Sequence, residues 1–232
     1  MTQNNRHPII TSPKIQNCVG MTKNDSQPQD DIPIFKSVFG HQWQSLPSVM
    51  HKHYANRPYS NDVVTVEGKM QVEVSRFARL LSPLLRLAGA LVPYAGKDIP
   101  VTVRFCSESD SNVFCFDRIF YFHGRAPYHF RSRMVPVKGG EVIEFMRIGI
   151  GWKARYRYDG RKVILEHRGY VVKFLGILLR LPLELLMGSG YAEEEAMSDD
   201  RFRMYMDIRH FLFGKVYAYM GVFTVTGMAV NE

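Results

Sequence analysis

Val64-Thr65-Val66-Glu67-Gly68-Lys69-Met70-Gln71-Val72-Glu73-Val74 reads VTVEGKMQVEV, with Val64, Val66, Met70, Val72 and Val74 alternating against Thr65, Glu67, Lys69, Gln71 and Glu73. A period of two places the apolar set on one face and the polar set on the other, which is the pattern of a strand in an antiparallel sheet with one wet side. Upstream, NRPYSND (56–62) is dense in turn formers and separates this strand from Ile34–Tyr54. There Ile34, Phe35, Val38, Phe39, Trp43, Leu46, Val49 and Met50 recur every three to four residues around Gly40 and Pro47, which predicts two short helices.

Downstream, Ser75 is placed to cap a leucine-rich helix over Arg76–Pro93, kinked at Pro83, with Arg76, Arg79 and Arg86 in one half-turn sector. Short strands then follow over Ile99–Ser107, Val113–Phe122, Tyr128–Val137 and Glu141–Ile150, joined by SESDSN, HGRAP and KGG. Asp159-Gly160 predicts a tight hairpin with ARYRY and KVILEH as its arms. The apolar stretch Tyr170–Met187 is interrupted by Lys173, Arg180, Pro182 and Glu184, too many breaks for a membrane-spanning helix, and predicts a buried strand followed by a short helical turn. Tyr191–Met197, Phe202–Ile208 and Lys215–Val225 complete the series of strands.

About ten strands with one helical excursion predict a mainly β fold (β-rich α+β): an antiparallel meander forming a closed or nearly closed β-barrel, with a helical lid after the first strand. A two-sheet sandwich is the rival, and a helix-grip fold is disfavoured because no long C-terminal helix is present. Residues 1–33 are rich in Asn, Gln, Asp, Ser and Pro and predict a disordered tail, and 34–232 predict one β-rich domain. The tail has neither the apolar run of a secretory signal nor, given Asp25, Asp30 and Asp31, the acid-poor composition of a mitochondrial leader. Cys18, Cys106 and Cys115 are odd in number and lack metal-ligand spacing, which points to reduced thiols and a cytoplasmic, or membrane-peripheral, location.

A net charge of +8 favours an anionic contact without saying which. Nucleic acid is disfavoured: in KARYRY the aromatics Tyr156 and Tyr158 lie on one strand face and Lys153, Arg155 and Arg157 on the other, whereas stacking platforms need both on one surface. Among the histidines, the His51/His53 pair has no evident third metal ligand, and solvent exposure is the default reading. Neither a metal nor a cofactor is expected. GYAEEEA (190–196) puts Glu193 and Glu195 on one face and Glu194 on the other, the pattern of an acidic edge strand.

The most pointed expectation comes from two strands read face by face. In VFCFDRIFYF, Phe114, Phe116, Phe120 and Phe122 share a face with Arg118; in EVIEFMRIGI, Val142, Met146, Ile148 and Ile150 share a face with Glu144. A lone buried charge is costly, so Arg118 and Glu144 are a candidate pair, either structural or the polar anchor of an apolar cavity. The candidate ligand-binding set is Arg118, Glu144, Phe116, Phe120 and Met146, with the basic stripe of His129, Arg131 and Arg133 as a candidate anion site or, in the plainer reading, a solvated face. No catalytic residue is named.

From Leu46 to Val225 the chain resembles a bacterial family catalogued only as domain-of-unknown-function family 4166. The resemblance rests on HYANRPYSND (53–62), FRSRMVPV (130–137), EFMRIGIGW (144–152), YDGRKVILEHRGY (158–170), GYAEEEA (190–196) and MDIRHFLFGKVYAY (206–219), with Phe211 standing where a proline is expected after the histidine. Members resemble stand-alone proteins or C-terminal appendages to a Rossmann-type NAD(P)-binding domain, which implies a redox or small-molecule context. No GxGxxG follows a strand here, so such a redox partner would be a separate chain.

Three functional expectations follow. The first is non-enzymatic binding of an apolar or amphipathic, lipid-like molecule in the barrel. The second is attachment to an anionic membrane surface through a basic amphipathic helix bearing Arg76, Arg79 and Arg86. The third is an accessory or catalytic domain working with a separate NAD(P)-dependent redox partner.

Overall fold

The computed structural model describes residues 32–83, 89 and 91–229. The predicted tail, up to residue 31, lies outside them, as do Arg86 and most of the second half of the helix predicted over Arg76–Pro93.

Two helices, α1 (Ile34–Phe39) and α2 (Ser48–His53), flank a 3₁₀ turn, Gly40–Ser45. Strand β1 (Val63–Val74) is followed by a short α3 (Arg76–Leu80), whose N-cap Ser75 accepts a hydrogen bond from the Ala78 N–H. Then come β2 (Gly96–Ser107), β3 (Phe114–Phe120), β4 (Tyr128–Val137), β5 (Glu141–Phe145), β6 (Ile150–Tyr158), β7 (Lys162–Phe174) and β8 (Ile177–Leu181). A helical turn α4 (Glu184–Met187) precedes β9 (Ser189–Ala196), β10 (Arg201–His210) and β11 (Gly214–Ala229).

Every pairing is antiparallel, and the sheet closes. The last strand lies beside the first, from Val63 opposite Ala229 to Val74 opposite Tyr217, while β6 pairs with β7 to join the two halves. The result is a ten-stranded barrel with β8 as an extra strand. β7 is long enough to pair with β9 through Lys162–Glu166 and with β8 through Tyr170–Phe174 along the same edge. Closure leaves no sheet edge on the ten barrel strands, which removes the usual template for edge-to-edge aggregation.

Three sequence expectations are corrected. The strand expected over Glu141–Ile150 is two strands, separated by a 3₁₀ turn at Arg147–Gly149 in which Ile148 has φ of 56° and Met146 N–H donates to the Ile150 carbonyl at 2.8 Å. GYAEEEA is not an edge: β9 lies between β7 and β10. Within Tyr170–Met187 the predicted helical turn forms as α4, but the strand before it is not a single buried one. The stretch holds the end of β7 and the whole of β8, joined at Leu175–Gly176 in left-handed conformations, and all of Phe174–Arg180 is exposed.

One end of the barrel is sealed. Phe35, Phe39, Trp43, Val49 and Met50 plug it, with Phe35 against Phe114 at 5.5 Å and Tyr156 at 5.2 Å. Gln42 fastens the plug by donating to the Tyr158 carbonyl at 2.7 Å and accepting from the Tyr158 N–H at 3.1 Å. Nearby, the half-buried Arg57 and the buried Asp62 form an ion pair at 3.0 Å.

The seam between β1 and β11 depends on two glycines. A side chain on Gly68 would place its Cβ 2.1 Å from the Val222 carbonyl oxygen, and one on Gly221 would meet the Lys69 carbonyl oxygen at 2.6 Å. Backbone cannot yield as a side chain can, so Gly68→Ala is expected to cost about 1–3 kcal/mol in urea unfolding, the usual range for overpacking. A change under about 0.5 kcal/mol, the usual scatter for a surface site, would show that the seam has room.

Candidate functional site

Because side chains alternate along each strand, half of those on the ten barrel strands point inward, and the plug fills only the sealed end. Above it lies a cavity of about 240 Å³, lined by residues that include Met146, Ile150, Trp152, Tyr170, Met206 and Ile208. Arg118, Glu144 and Tyr219 lie at the boundary between this cavity and a smaller space of about 40 Å³ reaching toward the plug. Ile148, Leu183, Leu186 and Met187 border the cavity at the opposite, open end.

Arg118 and Glu144 are buried, with only 3% and 9% of their surfaces exposed. They form an ion pair, completed by Ser132, whose hydroxyl accepts from the Arg118 guanidinium at 2.7 Å and donates to Glu144 Oε1 at 2.7 Å. The guanidinium lies between the rings of Phe116 and Phe130, 3.9 and 4.0 Å from their centroids. Burial disfavours the charge on Arg118, but Glu144 and Tyr219 outweigh it and hold the pKa above the ordinary arginine value. Burial pushes the Tyr219 hydroxyl up to about 12, so it stays protonated. The Arg118 Nε–H is buried with no hydrogen-bond partner among the described residues.

Nearer the plug is a second buried network, which sequence reasoning missed. Tyr54 donates to Glu194 Oε2, and His53 Nε2 lies 3.4 Å from Glu194 Oε1. Burial pushes Glu194 up, but His53 and Tyr54 pull it down further, below the usual carboxylate range. The signal for Glu194 was present: the alternation set it on the face opposite Glu193 and Glu195, and in a closed barrel one of those faces must be the inside. Glu193 and Glu195 are outside, paired with Lys162, Arg161 and Arg203.

Of the predicted ligand set, Arg118, Glu144, Phe116 and Met146 line the interior. Phe120 does not reach either space; it packs in the core with its ring stacked on Phe122, centroids 6.0 Å apart. Arg131 and Arg133 are on the outer face, where they pair with Asp117 at 3.1 Å and with Glu108, beside His129 at 3.1 Å from Asp117. Arg76 and Arg79 are exposed on α3, and Arg86 lies outside the described residues. His51 and His53 are on helix α2 rather than a strand. Cys106 and Cys115 are direct cross-strand partners, both reduced, and burial pushes both thiols up.

The mouth is bordered by α4, which is held in two places. His210 Nε2 meets the Leu185 carbonyl at 2.9 Å, and Glu184 Oε1 lies 3.4 Å from His167 Nε2. His167 Nδ1 accepts from the Trp152 indole at 2.9 Å, which leaves Nε2–H to face Glu184 and assigns the neutral tautomer. Burial, opposed by Glu184, holds the His167 pKa below its ordinary value. The sign follows from linkage: the unfolded chain takes up this proton first, so the His167 contribution is complete above about pH 6.5 and is lost as pH falls toward the folded pKa. Urea unfolding at pH 7 and pH 5.5 is therefore expected to show a smaller drop in stability for His167→Gln than for the unaltered chain. Equal drops would remove His167 from the account.

A protein-family model described as Domain of unknown function (DUF4166) matches residues 46–223. No curated protein matches the chain. Among solved structures, the dehydratase domain of the polyketide PpsC from Mycobacterium tuberculosis aligns over 82% of this chain and 84% of its own length, at 5% identity. The TM-score of that alignment, 0.18, is too low to carry an argument.

Proposed function

We propose that this chain, which belongs to the DUF4166 family, binds an apolar small molecule with a neutral polar head inside its barrel. The observation that carries this reading is the cavity: apolar walls, one open end, and at the inner limit the Arg118 Nε–H, a donor without a partner among the described residues. A few placed polar groups in an apolar pocket are the usual form of a small-molecule site.

The electrostatics select the head group. Arg118 is already neutralised by Glu144, and Glu194 is a further buried carboxylate nearby. An added carboxylate would need a second cation to offset its desolvation, whereas a carbonyl, ester or alcohol oxygen needs only a donor. The favoured ligands are therefore neutral: a long-chain alcohol or ester, a quinone or an isoprenoid alcohol. A cavity of about 240 Å³ is slightly smaller than a typical drug-sized site of roughly 300–1,000 Å³, so a long tail would extend through the mouth between Ile148, Leu183 and Leu186.

Native mass spectrometry of the purified full chain tests the reading. One equivalent of a neutral lipid-like molecule, either carried through purification or taken up from a mixture of such compounds, is the expected result. Ligand-free protein alone, after exposure to all of them, would count against it.

A further inference from the structure

The antiparallel meander sends β1, β3, β5, β7 and β10 to finish at the same end of the barrel, the end where the cavity opens. The connections there carry apolar side chains at their tips: Leu80 on α3 is 78% exposed, Leu175 of the β7–β8 turn 86%, Leu185 on α4 69%, and Leu212 of the β10–β11 turn 70%. Phe174, Ile177, Leu178 and Leu179 extend the second of these into a two-stranded arm that is apolar on both faces. Isolated exposed leucines need no explanation, but several apolar tips ringing one opening amount to a patch of the kind that marks an interaction surface.

The charge around this rim is positive. Arg76, Arg79, Lys97, Arg125 and Arg147 form no ion pair with a carboxylate among the described residues. Of the acids at this end, Glu73 is paired with Lys215, Asp207 with Arg209, and Glu184 with Arg180 and His167, while Asp98 is exposed. A groove beside the rim collects Arg79, Lys97, His123 and Arg125 around Tyr94, with Asp98 as its single acid.

We propose that this rim docks on an anionic lipid bilayer, with Leu80, Leu175, Leu185 and Leu212 entering the interface and the surrounding arginines and lysines meeting the headgroups. Apolar tips flanked by cations match the two layers a membrane presents, hydrocarbon beneath anionic headgroups. Apposing two copies of this rim would instead set like charges against one another. Docking in this orientation turns the cavity mouth toward the hydrocarbon, so an apolar ligand passes between bilayer and barrel without crossing water. The expected attachment through Arg76 and Arg79 is thereby widened to the other connections of the rim. The described α3 is five residues long and contributes only Leu80, Arg76 and Arg79 to a contact made by four separate connections.

Flotation of the full chain with vesicles tests this independently of what the cavity holds. Binding is expected to phosphatidylcholine vesicles containing phosphatidylglycerol, and to be about tenfold weaker with phosphatidylcholine alone. Arg76→Glu with Arg79→Glu should weaken it at least tenfold, on the scale set by losing two surface cations. Leu175→Asp with Leu212→Asp should abolish it while leaving the melting temperature and ligand uptake in vesicle-free solution unchanged. Three outcomes would overturn the proposal: no flotation with either vesicle, binding unaffected by the tip substitutions, or a dimer in sedimentation that the tip substitutions dissociate while vesicles go unbound. Loss of ligand uptake with intact flotation would instead count against the cavity reading and leave this one standing.

Discussion

Arg118→Met alone is expected to destabilise the barrel by about 3–5 kcal/mol, and Glu144→Met by a similar amount, because each strands a buried charge whose one counter-ion among the described residues is the group removed. The double substitution should lie much closer to the unaltered chain than the sum of the two singles. Methionine fits the slot between Phe116 and Phe130, where a flexible thioether replaces the guanidinium with little loss of packing. Ser132 then loses both partners, a residual cost of about 1–3 kcal/mol that Ser132→Ala in the same background should recover. Urea unfolding of the four chains gives the coupling energy directly. Additive effects of the two singles would mean that the pair does not act as a unit.

The second large effect concerns the cavity wall. Ile208→Trp places an indole in the space between Met206, Tyr170 and Trp152, and is expected to reduce neutral-ligand affinity by about a hundredfold, roughly 2.7 kcal/mol. Filling a void costs less than overpacking a full core, so stability should change by less than about 1 kcal/mol. Arg131→Met with Arg133→Met, which removes the outer basic stripe, should leave uptake unchanged, since both side chains pair with Asp117 and Glu108 on the far side of the wall. A ligand lost with the outer pair and retained with the tryptophan would move the site to the outer surface.

The barrel was legible because its strands have one wet and one dry face. VTVEGKMQVEV, the Asp159-Gly160 hairpin and the FRMYMDI alternation each fix a strand and its inward set, and the same alternation brought Arg118 and Glu144 to one interior before any pairing was known. Where the alternation stopped carrying information, the reading failed for identifiable reasons. Met146 and Ile150 both face the cavity, so nothing in their pattern marks the break at Arg147–Gly149, which depends on a left-handed Ile148. The apolar run from Phe174 to Leu179 was assigned to the core because hydrophobicity ordinarily means burial; in this chain it forms an exposed arm. Glu194 was hidden by its neighbours: three successive glutamates resemble an exposed edge until closure makes one side of the strand an interior. His53 and Tyr54 reach Glu194 from a helix some 140 positions earlier, a contact created by the plug that no local spacing encodes.

Both tryptophans are well placed to report on the interior: Trp43 is in the sealed plug, and Trp152 is on the cavity wall. With Trp43→Phe, fluorescence comes from Trp152 alone, and a neutral long-chain alcohol brominated along its chain quenches only on close approach. Saturable quenching at one ligand per chain, with the matching brominated fatty acid binding more weakly, is the result expected of a cavity whose cation is already paired. Quenching that rises without saturation, or that favours the fatty acid, would contradict the assignment of the barrel interior as a site for neutral amphipathic ligands.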